Sequence, residues 1–189
     1  MNESDILLGQ LATERIHAAQ VANACVAVFG TERDSPATAP TAFREASVGY
    51  LAWALARFEQ RDQLLNELIE QRHGAAGGTL EDTVPIELGA LAAREGTSRQ
   101  ALVRLERALA ADAPQQARTA WLAFGEFFNT HWSARREAIE RHLARLPRIG
   151  SWRAVGVIDA DSILEERARY AQLAAHLPPG ITLLGSTGS

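Results

Sequence analysis

Apolar side chains recur at intervals of three and four residues along most of the chain, which is the spacing of one face of an α-helix. Segments rich in glycine, proline and small polar residues separate these periodic stretches and are typical of turns. In chain order, the predicted helices span approximately residues 5–29, 41–72, 86–95, 98–111, 114–146 and 162–176.

The region after Pro147 loses the helical period before the last predicted helix. It is predicted to be an extended strap. Ser162 and Glu165 have the spacing of a capping box, so the last helix is predicted to begin there. The tail from Pro178 onward is predicted to be loosely held. We therefore divide the chain into a helical bundle, residues 1–146, and a strap, helix and tail, residues 147–189, packed on the same domain.

These elements favour an all-α fold built as a four-helix bundle with an additional helix. The net charge of -4 argues against a protein that coats nucleic acid or anionic membrane, since such proteins need a large positive field. The single cysteine, Cys25, excludes an internal disulfide. Neither a signal peptide nor an apolar run of about 20 residues is present, so we expect a soluble cytoplasmic protein without a membrane partner.

Charged side chains interrupt the apolar stripes near the middle of three predicted helices. In an antiparallel bundle these positions can meet at one level, where buried charges must pair because an isolated buried ion is unstable. One interpretation is a polar pocket that binds a small anion or a carboxylate. The other is a set of ordinary ion pairs at the stripe edges. The six residues are Glu14, Arg15, Arg61, Asp62, His131 and Arg135.

From about Asp5 to Leu146 the order of helices, and above all the hairpin ALVRLERALAADAPQQARTAWLAFGEFFNTHW, resembles the hemerythrin-like family of four-helix bundles. Such proteins hold a di-iron centre with histidines and carboxylates, including His-x-x-x-Glu or His-x-x-x-Asp on the second and fourth helices. A guanidinium does not ligate iron. The resemblance therefore implies the fold of the family without its di-iron site. At the matching positions, the fourth helix has His131 and Arg135, and the second helix has Arg57 and Arg61. The first helix has Arg15, close to His17, and the third has Ser98 or Arg99.

A ferritin-like metal site is an alternative, because Glu14 and His17 have the Glu-x-x-His spacing that places two ligands on one helix face. Together with His131 they would form the alternative metal set, with iron as the cofactor and oxygen handling as the function. The sequence lacks the second Glu-x-x-His copy that such a centre requires. It therefore favours a protein without a metal cofactor.

Residues 91–105, LAAREGTSRQALVRL, fit the helix-turn-helix pattern, with Gly96 at the turn. Arg99, Gln100 and Arg104 would then face a DNA groove, and a homodimer would place two such helices about one duplex turn apart. The alternative is that Gly96 ends a helix at a corner and the arginines are its solvated face.

No phosphate-binding glycine loop, nucleophile elbow or zinc-protease helix motif occurs in the sequence. We therefore expect a noncatalytic protein that binds a small molecule or a protein partner. A DNA-binding regulator using residues 91–105 is the second hypothesis, and a di-iron or oxygen-handling bundle is the third.

Overall fold

The structure is a computed structural model that describes residues 3–29, 41–76, 96–97, 99–108, 114–143 and 160–183. All regular secondary structure within these ranges is helical, which confirms the all-α class for this part of the chain. The predicted helix 86–95 and most of the strap, residues 147–159, lie outside the described residues. None of the described helices is long and apolar enough to cross a membrane.

Six helices follow one another along the described chain. Between the fourth and the fifth lies a π-helical turn, Phe128–Ser133, whose flanking residues Phe127 and Ala134 keep right-handed helical backbone angles. Residues 114–143 therefore form one continuous helix, as the apolar period predicts, but with a π turn that the period does not reveal. The bounds are α1 Glu3–Phe29, α2 Thr41–Ala76, α3 residues 99–108, α4 Pro114–Phe127, α5 Ala134–Leu143 and α6 Ala160–Ala174.

Helix α1 is the central element, because it packs against α2, α4, the π turn and α5. Its small buried side chains include Ala18, Ala22 and Cys25, which leave room for neighbouring backbones to approach. The closest approach is at Gly125 of α4, where an added Cβ would overlap the Cγ2 atom of Val26. Glycine at this position therefore fixes how tightly α4 packs on α1.

Paired contacts define the directions of the helices. The rings of Phe29, at the end of α1, and Trp121 are stacked with centroids 5.0 Å apart, whereas Arg15, near the middle of α1, meets Glu140 farther along the chain. The long helix containing α4 and α5 consequently runs antiparallel to α1. Phe43 near the start of α2 lies 6.0 Å from Phe29, so α2 is also antiparallel to α1.

Helix α6 and the residues after it correct two predictions. The helix begins at Ala160, so Ser162 is buried within its first turn and is not an N-cap. The first residues of the tail, 178–183, pack against the core, although the tail was predicted to be loosely held. Leu183 is buried, and Leu177 and Ile181 pack partly buried against the core. Burial of these apolar side chains outweighs the turn-forming character of the Pro-Pro-Gly stretch before them.

Candidate functional site

The charged residues that were predicted to meet at one level of the bundle are called the polar layer. A buried ion pair between α1 and α2 forms its centre. Glu14 and Arg61 are each 2% exposed, and Arg61 Nη2 donates a hydrogen bond to Glu14 Oε2. Arg57 Nε donates to the same oxygen at 3.4 Å, and Gln10 Nε2 donates to Glu14 Oε1 at 3.2 Å. Both oxygens of the buried carboxylate are therefore hydrogen-bonded by side chains from two helices.

Opposing effects set the charge of this pair. Burial alone would raise the pKa of Glu14, but the guanidinium groups of Arg61 and Arg57 and the amide of Gln10 outweigh it, so the pKa lies below 4.5. Burial also lowers the pKa of Arg61, as does repulsion from Arg136 and Arg57, while Glu14 opposes this shift. Glu14 is consequently ionised at neutral pH beside an excess of positive charge.

Arg61 retains hydrogen-bond donors that no described residue satisfies. Its Nε and Nη1 atoms are buried and have no hydrogen-bond partner within the described part of the chain. A guanidinium carries five N–H donors, and the contact with Glu14 uses only one of its nitrogens. The ring of Phe58 covers one face of the group, with the guanidinium carbon 5.3 Å from the ring centroid. Arg61 therefore keeps two buried guanidinium nitrogens whose hydrogen-bond donors are not used by the described residues.

Arg136 is a second buried guanidinium, which the sequence analysis missed. It is buried on α5, and its Nη2 atom lies 3.4 Å from the carbonyl oxygen of Phe58, to which it donates. Its guanidinium carbon lies 4.4 Å from the Phe58 ring centroid and 5.0 Å from that of Trp132. Aromatic faces stabilise a cation in such positions. Arg61 and Arg136 therefore contact the same ring.

The π turn explains why Arg136 lies inside. Buried residues of the long helix recur at every fourth position, whereas in a regular α-helix a step of four drifts by about 40° around the axis. The wider π turn reduces this drift and keeps the series on one side. A strict four-residue repeat was the signal that could have identified these positions. The series is Phe124, Phe128, Trp132, Arg136 and Glu140.

Arg15 belongs to a neighbouring pair and not to the Glu14 cluster. Its Nε atom donates to Glu140 Oε2 at 3.0 Å, and its Nη1 atom lies 3.9 Å from the more exposed Glu137. Burial raises the pKa of Glu140, although Arg15 and Arg136 oppose the shift. Arg15 thus joins α1 to α5 near the middle of α1, next to Glu14.

Three predicted residues of the polar layer remain, and the structure describes the side chain of only one of them, Arg135. Arg135 is half-buried, and its Nε atom is buried without a hydrogen-bond partner among the described residues. The side chains of Asp62 and His131 lie outside the described residues, although both backbones are helical and His131 is within the π turn. The described site is accordingly Glu14, Arg57 and Arg61, with Arg136 nearby.

A second buried carboxylate lies where α6 meets α1 and α2. Glu166 is 1% exposed, and its Oε1 atom accepts a hydrogen bond from Tyr50 at 2.7 Å and lies 2.8 Å from His17 Nδ1. The His17 and Tyr170 rings are stacked, with centroids 3.9 Å apart. Burial, together with the charge of Glu166, raises the pKa of Tyr50 far above 10, so its hydroxyl remains a donor. The sequence analysis missed Glu166 because it treated α6 as an additional helix outside the bundle.

The described donor set does not fit an iron site. Within the described residues, no group of three or more His, Cys, Asp or Glu side chains is placed to hold a metal ion. Glu14 is occupied by arginine and glutamine donors, and His17 faces Glu166. The two residues of the Glu-x-x-His pair therefore have separate partners, and arginine occupies the space around the carboxylate.

Helix α3 presents the residues predicted to contact DNA on its solvent side. Arg99, Gln100 and Arg104 are exposed, whereas Leu102 and Leu105 are buried on the opposite face. Arg99 also forms an exposed ion pair with Glu59 of α2. Residues 91–95, the first part of the helix-turn-helix pattern, lie outside the described residues. Gly96 and Thr97 are helical, so the prediction of a turn at Gly96 is wrong.

The chain matches no protein-family model, no curated protein and no solved structure.

Proposed function

We propose that this protein is a noncatalytic helical-bundle protein that binds a small carboxylate or another small anion in the polar layer. The observation that carries the proposal is the buried guanidinium of Arg61, whose Nε and Nη1 atoms have no hydrogen-bond partner among the described residues. A buried donor without an acceptor is unstable, and a charged donor more so. An anionic ligand would supply the missing acceptors.

The local charge balance supports an anion over a cation. The guanidinium groups of Arg57 and Arg61 both contact Glu14, and Arg136 is close enough to repel Arg61. Two arginines thus share one carboxylate, with a third nearby. Guanidinium groups bind carboxylates and phosphates through paired hydrogen bonds, which lysine cannot reproduce with the same geometry.

We further propose that the architecture is a four-helix bundle with a hemerythrin-like arrangement that lacks the di-iron site. The antiparallel packing of α2 and of the long helix on α1 supports a bundle. Arg57 and Arg61, which stand at the positions of the family's ligand motif, contact a buried carboxylate. A protein partner that inserts a carboxylate side chain would satisfy the same donors as a free ligand.

Ligand-dependent stability tests the proposal. Acetate and inorganic phosphate are titrated into the wild-type protein, with sodium chloride at equal ionic strength as the reference, and the free energy of unfolding is measured with urea. A ligand that binds only the native state, present at a concentration of ten times its Kd, should raise the free energy of unfolding by about 1.4 kcal/mol. If neither anion adds stability beyond chloride, the proposal is wrong.

Matched variants locate the effect. In Arg61→Lys the charge is retained but the fork of donors is lost, so the anion-dependent gain should disappear while the helical circular dichroism is preserved. Arg167→Lys, on the exposed side of α6, is the control and should respond as the wild type does. An equal gain in all three proteins would place the bound anion elsewhere.

A DNA-binding regulator is the second candidate, and the exposed face of α3 favours it. Arg99, Gln100, Arg104 and Arg107 are exposed on this helix. If the face binds a duplex, binding must weaken with salt, and Arg104→Ala should reduce the slope of log K against log salt by about 0.9 for one lost phosphate contact. Arg167→Ala is the control. If a random duplex does not bind to the protein at low salt, this candidate is wrong.

A further inference from the structure

We propose that α6 is a hinged cover over the polar layer, and that a ligand reaches Arg57 and Arg61 when the first turns of α6 detach. This inference rests on the proposed anion binding and adds a route to the site. It is drawn from the unequal chemistry of the two ends of α6.

The first three turns of α6 dock on α1 and α2 through polar groups. Ser162 Oγ accepts a hydrogen bond from Arg57 Nη2, Glu166 contacts Tyr50 and His17, and the Tyr170 hydroxyl donates to Gln20 Oε1. Two of the four buried side chains of this helix, Ser162 and Glu166, are polar, and Tyr170 adds a hydrogen-bonding hydroxyl to a ring that packs in the core. The fourth is Leu173. Polar groups regain hydrogen bonds with water when they separate, so such an interface opens at a lower free-energy cost than an apolar one of equal area.

The far end of α6 and the residues after it are held by apolar packing. Leu173 and Leu183 are buried, and Leu177 and Ile181 pack partly buried on the core. Apolar surface has no compensating interaction with water, so this end resists separation. A pivot near Leu173, with the chain held as far as Leu183, follows from the difference between the two ends.

Glu166 adds a force that favours opening. Its Oε2 atom is buried and has no hydrogen-bond partner among the described residues, so detachment would hydrate a carboxylate oxygen that the closed state leaves unsatisfied. The closed state is retained by Tyr50 and His17, which both contact Oε1. The population of the open state depends on the difference between the free energy of the contacts at Oε1 and the free energy of hydrating Oε2.

Opening would uncover the proposed binding site from one side. Arg57 bridges the two regions, because its Nη2 atom donates to Ser162 on α6 and its Nε atom donates to Glu14 on α1. When Ser162 leaves, Arg57 Nη2 loses its acceptor and becomes available to an anion beside Glu14 and Arg61. Arg57 therefore joins the movement of α6 to the anion site.

Hydrogen exchange of the full chain tests whether α6 opens locally. Backbone amides at residues 163–170 should exchange at least about tenfold faster than the buried amides of α1, and their rates should change little in low concentrations of urea. Tyr50→Phe removes the hydroxyl that donates to Glu166 Oε1 and leaves the carboxylate charge in place, so exchange in residues 163–170 should accelerate by about tenfold while α1 is unchanged. Glu165→Gln, on the exposed side of α6, is the control.

Binding kinetics test whether the opening is the entry route. When only the open state admits a ligand, the observed association rate is proportional to the open fraction. The rate for acetate, followed by stopped-flow tryptophan fluorescence, should therefore rise by about tenfold in Tyr50→Phe and stay at the wild-type value in Glu165→Gln.

The outcomes separate the cover from the site. Acetate binding with an association rate that Tyr50→Phe leaves unchanged, or uniform exchange protection across α1 and α6, overturns the cover and leaves the anion site standing. Local opening of α6 in a protein that binds neither acetate nor phosphate overturns both, because the cover then has no site beneath it.

Discussion

Arg61 on α2 and Glu14 on α1 form an ion pair in which both side chains are buried, and Arg61 Nη2 donates to Glu14 Oε2. The two residues are separated by 47 positions in the sequence. The carboxylate has donors on both oxygens, whereas the guanidinium keeps two nitrogens without a described partner. This inequality, a satisfied anion beside an unsatisfied cation, underlies the proposed function and the first two predictions.

Removing the charge of Glu14 should strongly destabilise the protein. Glu14→Gln leaves Arg61 and Arg57 without their shared counter-charge, and breaking a buried ion pair in this way costs about 3–5 kcal/mol. Urea denaturation measures the change in the free energy of unfolding. Glu165→Gln, which removes an exposed ion pair with Arg169, is the control and should cost about 0.5 kcal/mol or less. Equal losses of unfolding free energy in the two variants would show that the buried ion pair stabilises the protein no more than the exposed one.

The two buried glutamates of α1 and α5 should affect acid stability in opposite directions. The pKa of Glu14 is lowered on folding, so its stabilisation is present above pH 4.5 and is lost as the pH falls through the folded pKa. The pKa of Glu140 is raised on folding, so its ionisation removes stability as the pH rises from 4.5 through the folded pKa.

Unfolding free energies measured from pH 3 to pH 7 would test these signs. Glu14→Gln should flatten the loss of stability below pH 4.5, and Glu140→Gln should remove a decline in stability above it. Changes of the same sign in both variants would contradict the assigned pKa directions.

The tyrosines should titrate above the ordinary range while the protein is folded. The chain contains two, Tyr50 and Tyr170. Burial and the charge of Glu166 raise the pKa of Tyr170 to about 12, and they raise that of Tyr50 still further. Absorbance at the tyrosinate band should therefore show almost no ionisation at pH 10.5 in the native protein and about three-quarters ionisation in urea, where the tyrosine pKa returns to about 10. A native tyrosine that titrates near pH 10 would contradict the buried contact with Glu166.

The contact between α1 and α4 should not tolerate a larger residue at position 125. In Gly125→Ala the new Cβ overlaps Val26 Cγ2, and overpacking of this kind costs about 1–3 kcal/mol. Gly49→Ala is the matched control, because nothing lies within 4 Å of an added Cβ at this exposed helical position. It should stabilise α2 by about 0.5–1 kcal/mol. Val26→Ala should restore most of the stability lost in Gly125→Ala.

The only cysteine should report on unfolding. Cys25 is buried in α1, and burial raises its pKa to about 12, so the reactive thiolate is rare at neutral pH. A disulfide reagent such as DTNB should modify the native protein slowly, at a rate that rises with urea in step with global unfolding. Rapid modification without urea would show that α1 is accessible in the native state.

The sequence by itself determined the features that depend on local order. An apolar repeat of three and four residues places α1 and α2 almost at their observed bounds, because amphipathic periodicity is a property of neighbouring turns. Trp121, Phe124, Phe128 and Trp132 lie on the apolar stripe of the long helix, and all four are buried. The repeat also shows that charges such as Glu14 and Arg61 interrupt apolar stripes, although not which partners they have.

Only the tertiary structure decided those partners. Register between helices depends on side chains that are distant in the sequence, so the assignment of Glu14 to Arg61, and of Arg15 to Glu140, required the packed helices. The π turn at Phe128–Ser133 changed the phase of the long helix and brought Arg136 inside. Periodicity assumes one pitch from end to end, and a single wide turn is enough to change which side of the helix is buried.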